Sequence, residues 1–271
     1  MISGSSSYFD EYSMFHGSLK NIMGTRFDML LTGMNSDDVE LLWNRIEEEL
    51  KRLHMMLNRF APDSEISRIN QRAFQDSAAV SEELWAIFQD CRMYHQKTFG
   101  LFDITLKDLN KVSFNQESRS LRFQQRGLSL DLGGYAKGYA MKRVVTLLKT
   151  YKVENCFVDF GNSAIFALGN HPYGDSWKVS IGNPYQDGAV LSEFSLKNRA
   201  LSTSGNSPSY TGHIVNPLSG TFNISRMLVC VESHDSLDAE VLTTTLMVAD
   251  KSQKKEILDQ FEDTRLKEFY L

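Results

Sequence analysis

The chain has 271 residues, 42% of them hydrophobic and 23% charged, with a formal net charge of −5. That balance is ordinary for a globular chain and argues against nucleic-acid binding, which needs a basic surface. The three cysteines, Cys91, Cys156 and Cys230, lie among apolar neighbours at no metal-ligand spacing, so neither a disulfide framework nor a thiolate metal site is expected.

Residues 1–17 are polar and read as a flexible N-terminal segment, with 18–271 as a single domain. Residues 24–33 alternate like a strand. Ser36-Asp37-Asp38 has the chemistry of a helix start, with Ser36 as N-cap. Val39, Leu42, Trp43, Ile46, Leu50, Leu53 and Leu57 then recur at helical spacing. Residues 59–70 read as a loop entering a short helix, 81–99 as a second amphipathic helix and 112–131 as short strand-like runs. A third helix is predicted over 136–150. Strands follow at 155–160, 164–168, 177–181, 190–196, 201–203 and 227–231, then a helix over 238–249 and a charged helix from Lys251 that closes the chain. Helices and strands mix without a regular βαβ rhythm, which predicts an α+β fold. No apolar run is long enough to span a bilayer, and the start has no apolar leader region, so no transmembrane segment is expected.

The most informative stretch is Leu130-Asp131-Leu132-Gly133-Gly134-Tyr135-Ala136-Lys137-Gly138. Here an apolar run turns through paired glycines into a helix. Glycine lets backbone approach a ligand, a helix start offers free N–H groups to phosphate, and Lys137 adds a full charge. The pattern is neither a dinucleotide fingerprint nor a P-loop. Two readings stand: a phosphate-bearing ligand, or a tight turn before a core helix.

Other loops concentrate small polar residues in order: Met23-Gly24-Thr25, Ser64-Glu65 with Asn70, Gly100-Leu101-Phe102-Asp103, Thr203-Ser204-Gly205, His213-Ile214 with Pro217 and Gly220, and Ala239-Glu240 with Thr244. Trp177, Ile181 and Pro184 add a further spaced set. Taken singly, each has a plain structural reading as turn, cap or helix interior. Together and in this order, over about residues 15–249, they make the chain resemble the ApbE family, flavin transferases that move FMN from FAD onto a protein threonine or serine.

The resemblance implies an ApbE-like, T-fold-related, two-lobed architecture with the ligand cleft between lobes. It implies FAD as substrate and Mg²⁺ as cofactor. Met23 would touch the flavin ring, and Phe60 would stack on it where the family often has tyrosine. Backbone at Leu101, Phe102 and Asp103 would hold part of the dinucleotide. Asp131 and Lys137 would flank it on the glycine turn, the Thr203-Ser204-Gly205 turn would border it, and Ile214 would pack on it. Mg²⁺ would be held by the Gly134 carbonyl, Glu240 and Thr244, with Thr243 assisting. Mg²⁺ prefers hard oxygen donors and keeps phosphate and water oxygens. His213 would be the base that activates the acceptor hydroxyl, since an imidazole of pKa ~6.5 takes protons near neutrality.

Four departures from the family pattern stand out. Glu240 replaces the usual aspartate. Gly161-Asn162-Ser163 replaces a Gly-Gly-Asp or Gly-Gly-Asn segment. Asn216 replaces an aspartate in the histidine loop, and Lys142 stands where an aspartate is usual. These changes keep two further expectations in play, a flavin-binding relative without transfer and a Mg²⁺-dependent FAD pyrophosphatase, with a non-enzymatic scaffold behind them. The expected partner is an acceptor flavoprotein bearing a modifiable threonine or serine. The family is commonly exported and lipid-anchored, but no lipobox cysteine stands near this start, which leaves the compartment open.

Overall fold

Eight antiparallel strands form the frame of the protein, whose computed structural model describes residues 1–271. In chain order the elements are β1 (Ser3–Phe9), β2 (Met14–Ile22), β3 (Thr25–Thr32), α1 (Ser36–Leu57), α2 (Glu65–Arg72), β4 (Ala78–Ala79), α3 (Glu82–Lys97), β5 (Val112–Asn115) and β6 (Ser120–Phe123). There follow α4 (Ala136–Thr150), β7 (Asn155–Phe160), β8 (Ala164–Leu168), β9 (Trp177–Gly182), β10 (Val190–Leu196), β11 (Arg199–Gly205), β12 (Val215–Asn216) and β13 (Thr221–Phe222). The chain ends with β14 (Met227–Ser233), α5 (Ser236–Leu246), α6 (Lys251–Leu258) and β15 (Arg265–Tyr270).

The main sheet runs β1-β2-β3-β7-β8-β11-β14-β15. Helices α1, α4 and α5 cover one face. The apolar stripe of α1 (Val39, Leu42, Trp43, Ile46, Leu50, Leu53, Leu57) is buried as its spacing predicts. On the other face the β9–β10 hairpin closes a second, smaller core, in which Trp177, Val179, Ile181, Phe194 and Leu196 meet Ile165, Leu201 and Leu228. Strand β14, covered on both faces, is buried along its whole length and accordingly reads Met-Leu-Val-Cys-Val rather than alternating. A small sheet, β4-β6-β5, packs with α2, and through Phe114 against Trp85 and Phe88 with α3. The architecture is α+β, and no helix is long and apolar enough to cross a membrane.

Both ends of the chain differ from the sequence expectation. Residues 1–17 are not loose: β1 pairs with β2 from Ser3↔Lys20 to Phe9↔Met14. As an edge strand exposed to water on both faces, it carries a polar composition that imitates a tail. At the other end the chain does not close on a helix. After α6 it returns as β15, paired to β14 from Glu232↔Arg265 to Met227↔Tyr270. The N-cap of α1 is Asn35, whose side chain accepts the Asp38 N–H at 2.9 Å, one residue before the predicted Ser36. Helix α5 starts at Ser236 and ends at Leu246, two to three residues earlier than predicted at each end.

Candidate active site

Helices α4 and α5 cross close to their N-termini, and Gly138 makes the crossing tight. A Cβ there would lie 2.7 Å from Glu240 Cβ and 3.0 Å from both Leu237 Cα and the Ser236 carbonyl oxygen. The Ser236 hydroxyl donates to the Gly138 carbonyl at 3.2 Å. The preceding glycine turn is organised by Asp131, whose Oδ1 accepts the Gly133 N–H at 2.8 Å. Gly134 lies against Thr244, with a Cβ position 3.4 Å from that hydroxyl.

The crossing brings the half-buried Lys137 onto the buried Glu240 as an ion pair. Glu240 is 4% exposed. Its other carboxylate oxygen accepts the Ser202 hydroxyl at 3.0 Å, and Ser202 Oγ also lies 3.2 Å from Thr243 Oγ1 and 3.1 Å from the Ser163 carbonyl. An isolated buried carboxylate is costly, and the lysine and serine satisfy it. The absence of a side chain at Gly138 leaves room for Glu240 where the two helices meet.

His213 stands on the loop between β11 and β12. Its ring stacks on Tyr210 with centroids 4.0 Å apart. Burial, then the charge of Lys137, holds the imidazole below its ordinary pKa, so it stays neutral and able to accept a proton. Fully buried Asn206 anchors this loop: its amide donates to the Ser225 and Asn223 carbonyls at 2.8 and 3.1 Å, and its Oδ1 accepts the Gly212 N–H at 3.3 Å. Ile214 is buried beside it, and its carbonyl accepts the Asn223 N–H at 2.8 Å.

A second network ties the remaining loops to the glycine turn. Met23 holds a left-handed φ of 47°, and its N–H donates to His54 Nδ1 at 2.9 Å. The Phe60 N–H donates to Asn58 Oδ1 at 3.0 Å, while the Phe60 ring is 80% exposed. The Arg59 guanidinium lies 4.5 Å over that ring, with Nε 3.0 Å from Asp131 Oδ2. The Asp131 N–H donates to the Ile104 carbonyl at 2.6 Å, which joins the Gly100–Asp103 loop to the same turn.

The structure therefore gathers Gly134, Lys137, Glu240, Thr243 and Thr244, brings the charge of Lys137 to bear on His213, and links Met23, Phe60 and Asp131 through side-chain hydrogen bonds and ion pairs. Other expected groups are occupied internally. The Leu101 and Phe102 N–H groups donate to Thr98, and Asp103 is buried, accepting from Thr105 and Leu109. Thr203, Ser204 and Gly205 form no turn: they continue β11 opposite Cys230, Val229 and Leu228. Gly205 is required there because a Cβ would lie 2.6 Å from the Met227 carbonyl. Of the four departures, Asn162 bonds Arg26 on the rim, Asn216 accepts the Leu218 N–H within its own loop, and Lys142 pairs with Asp235, the N-cap of α5, at 2.7 Å. Arg59, His54, Ser202 and Asn206 were not singled out from the sequence. Ser202 and Asn206 flank the small polar run Thr203-Ser204-Gly205, which is the one signal that could have found them.

No cluster of three or more histidine, cysteine, aspartate and glutamate side chains forms a metal cage. The Glu240 carboxylate, Thr244 hydroxyl and Gly134 carbonyl are hard oxygen donors on neighbouring elements. That set suits Mg²⁺ shared with substrate phosphates, not Mg²⁺ held by protein alone. An open pocket of about 530 Å³ lies between the Gly100–Asp103 loop and the tip of the histidine loop, where Pro217 and Leu218 line it.

A family model described as the ApbE family matches residues 23–116 and 107–266. Among curated relatives, an FAD:protein FMN transferase of Klebsiella pneumoniae is 26% identical over 245 residues, covering 76% of this chain and 75% of that protein. One of Chlamydia trachomatis is 26% identical over 266 residues, covering 83% and 81%. Among solved structures, the flavin transferase ApbE from Vibrio cholerae superposes with a TM-score of 0.80 at 21% identity, covering 96% of this chain and 97% of that one. The ApbE protein from Thermotoga maritima gives a TM-score of 0.77 at 20% identity, covering 96% and 91%.

Proposed function

The chain belongs to the ApbE family, and from that premise we propose that it transfers the FMN moiety of FAD to a threonine or serine hydroxyl of an acceptor protein, with Mg²⁺ as cofactor and AMP as leaving group. The observation that carries this is the Lys137–Glu240 pair beside the glycine turn, with a buried carboxylate and a lysine whose charge helps hold the His213 imidazole neutral.

The FAD diphosphate is anionic, and attack at the FMN-side phosphorus adds charge. Lys137 and the N–H groups opening α4 neutralise it. His213 takes the acceptor hydroxyl proton as the Oγ–P bond forms and the P–O bond to AMP breaks. Its lowered pKa keeps it in the proton-accepting form at neutral pH. Met23 and Phe60 border the flavin end, and Asp131, the Leu101–Asp103 backbone, Thr203, Ser204, Gly205 and Ile214 the rest of the ligand. Mg²⁺, when bound, would supply Lewis-acid neutralisation of the leaving phosphate from Glu240, Thr244 and Gly134, with Thr243 behind them.

Purified chain is titrated with FAD with and without Mg²⁺, and AMP release is followed with and without an acceptor carrying the modifiable residue. Release that requires both metal and acceptor is expected. Release without acceptor indicates hydrolysis, tight FAD binding without release indicates a flavin carrier, and no binding removes the flavin reading.

A further inference from the structure

Resting on the transfer reading above, we propose that the exposed apolar face beside His213, made by Tyr210, Phe222 and Ile224, is where the acceptor protein docks. It takes an uncharged, extended stretch with an apolar side chain within two positions of the modified threonine or serine. Tyr210, Phe222 and Ile224 are 63%, 63% and 74% exposed, and they stand together. The Tyr210 ring stacks on His213. Ile224 Cγ2 and Phe222 Cβ lie 3.8 and 4.0 Å from where a Cβ on Gly212, the residue before His213, would stand. Asn223 between them is pinned inward: its N–H donates to the Ile214 carbonyl at 2.8 Å and its side chain donates to the Met247 carbonyl. Successive side chains of an extended segment point opposite ways, so its two neighbours face outward.

Charge and reach name the occupant. No aspartate, glutamate, lysine or arginine stands between Arg199 and Arg226, in a chain that is 23% charged. An exposed loop without charge offers nothing to offset the desolvation of a charged partner, whereas apolar side chains gain by covering it. His213 takes the acceptor proton only when that hydroxyl lies within about 3 Å. An extended chain advances about 3.3 Å per residue, so two residues on either side of the modified one lie within about 7 Å of that point and meet Tyr210, Phe222 and Ile224.

The test uses the full chain with FAD and Mg²⁺ and three synthetic heptapeptides with a central threonine, carrying leucine, glutamate or lysine two positions to either side. Peptide binding is read by fluorescence anisotropy and transfer by AMP release. The leucine peptide is expected to bind about tenfold tighter than either charged one. Phe222→Ser/Ile224→Ser is expected to remove that preference through KM, with kcat and FAD affinity unchanged, and Ile224→Glu to move it toward the lysine peptide. Should the double variant fail to fold, Ile224→Glu decides instead. Equal use of the three peptides by the unsubstituted chain, no binding of the leucine peptide, or a preference untouched by the substitutions overturns the assignment. Weaker FAD binding by the double variant also overturns it, because the face would then belong to the flavin. So does a dimer of the unsubstituted chain that Ile224→Glu dissociates, because the face would then hold a second copy. Selective peptide binding without FMN transfer overturns the transfer reading and, with it, the naming of the occupant. The other results touch the docking face alone.

Discussion

Gly138→Ala probes the α4–α5 crossing directly. The added methyl would meet Glu240 Cβ at 2.7 Å and two backbone atoms, Leu237 Cα and the Ser236 oxygen, at 3.0 Å. Carbon contacts relax at about 3.5–4.0 Å, so the helices must part by about 1 Å, and none of the three atoms is the far end of a flexible side chain. Overpacking of this kind costs about 1–3 kcal/mol. Better helix propensity returns at most about 1 kcal/mol, and less in a first turn. The net loss is about 1–2 kcal/mol, or a fall of about 2–6 °C in Tm by thermal unfolding. Glu240 moves with its helix, and a 1 Å misplacement in a site costs on the order of a hundredfold in rate, so transfer should fall much further than stability. A variant that melts at or above the parental Tm refutes the close crossing. One that loses stability yet keeps full transfer refutes the link between the crossing and the chemistry.

Lys137→Met leaves the Glu240 carboxylate with Ser202 as its remaining hydrogen-bond donor and should cost about 3 kcal/mol in denaturant unfolding, most of it recovered in Lys137→Met/Glu240→Gln; additive effects would show that the two side chains do not interact. Because burial and Lys137 hold His213 low, the acid limb of transfer should have its midpoint below pH ~6.5, and His213→Ala should abolish transfer while FAD still binds; a midpoint above that value removes His213 as base. His54→Leu leaves the Met23 N–H without its acceptor and should cost about 1–2 kcal/mol, whereas His54→Asn keeps an acceptor near Nδ1 and should lose less. Burial also lowers the His54 pKa. The unfolded chain therefore binds more protons below pH ~6.5 and stability falls as pH falls through that range; His54→Asn should flatten this slope, and an unchanged slope counts against it.

Regular elements with buried faces were legible from the sequence. The apolar stripe of α1, the bounds of α4 at Ala136–Thr150, and strands β7, β8 and β10 coincide with their patterns, because burial on one face writes a period into the sequence. The edge strands β1 and β15 were not legible. The side chains of β1 are mostly in water and those of β15 are at most half-buried, so backbone pairing rather than a buried face makes them strands. The glycine turn was legible as a turn into a helix, while the functional roles expected of it came with the family likeness. Arg59 on Asp131, His54 on Met23 and Ser202 on Glu240 join positions 31 to 72 residues apart, and nothing in the local composition of either partner marks the pairing. Thr203–Gly205 misled for the opposite reason: small polar residues that read as a turn continue β11 beside β14, where close strand approach demands a glycine at 205.

Lys137 and Glu240 are separated by 103 positions. A translating ribosome that adds roughly 5–20 residues per second would expose the lysine about 5–20 seconds before its counterion emerges. Throughout that interval the glycine turn stands without the helix that closes it, so the Lys137–Glu240 crossing can form only once α5 has been synthesised.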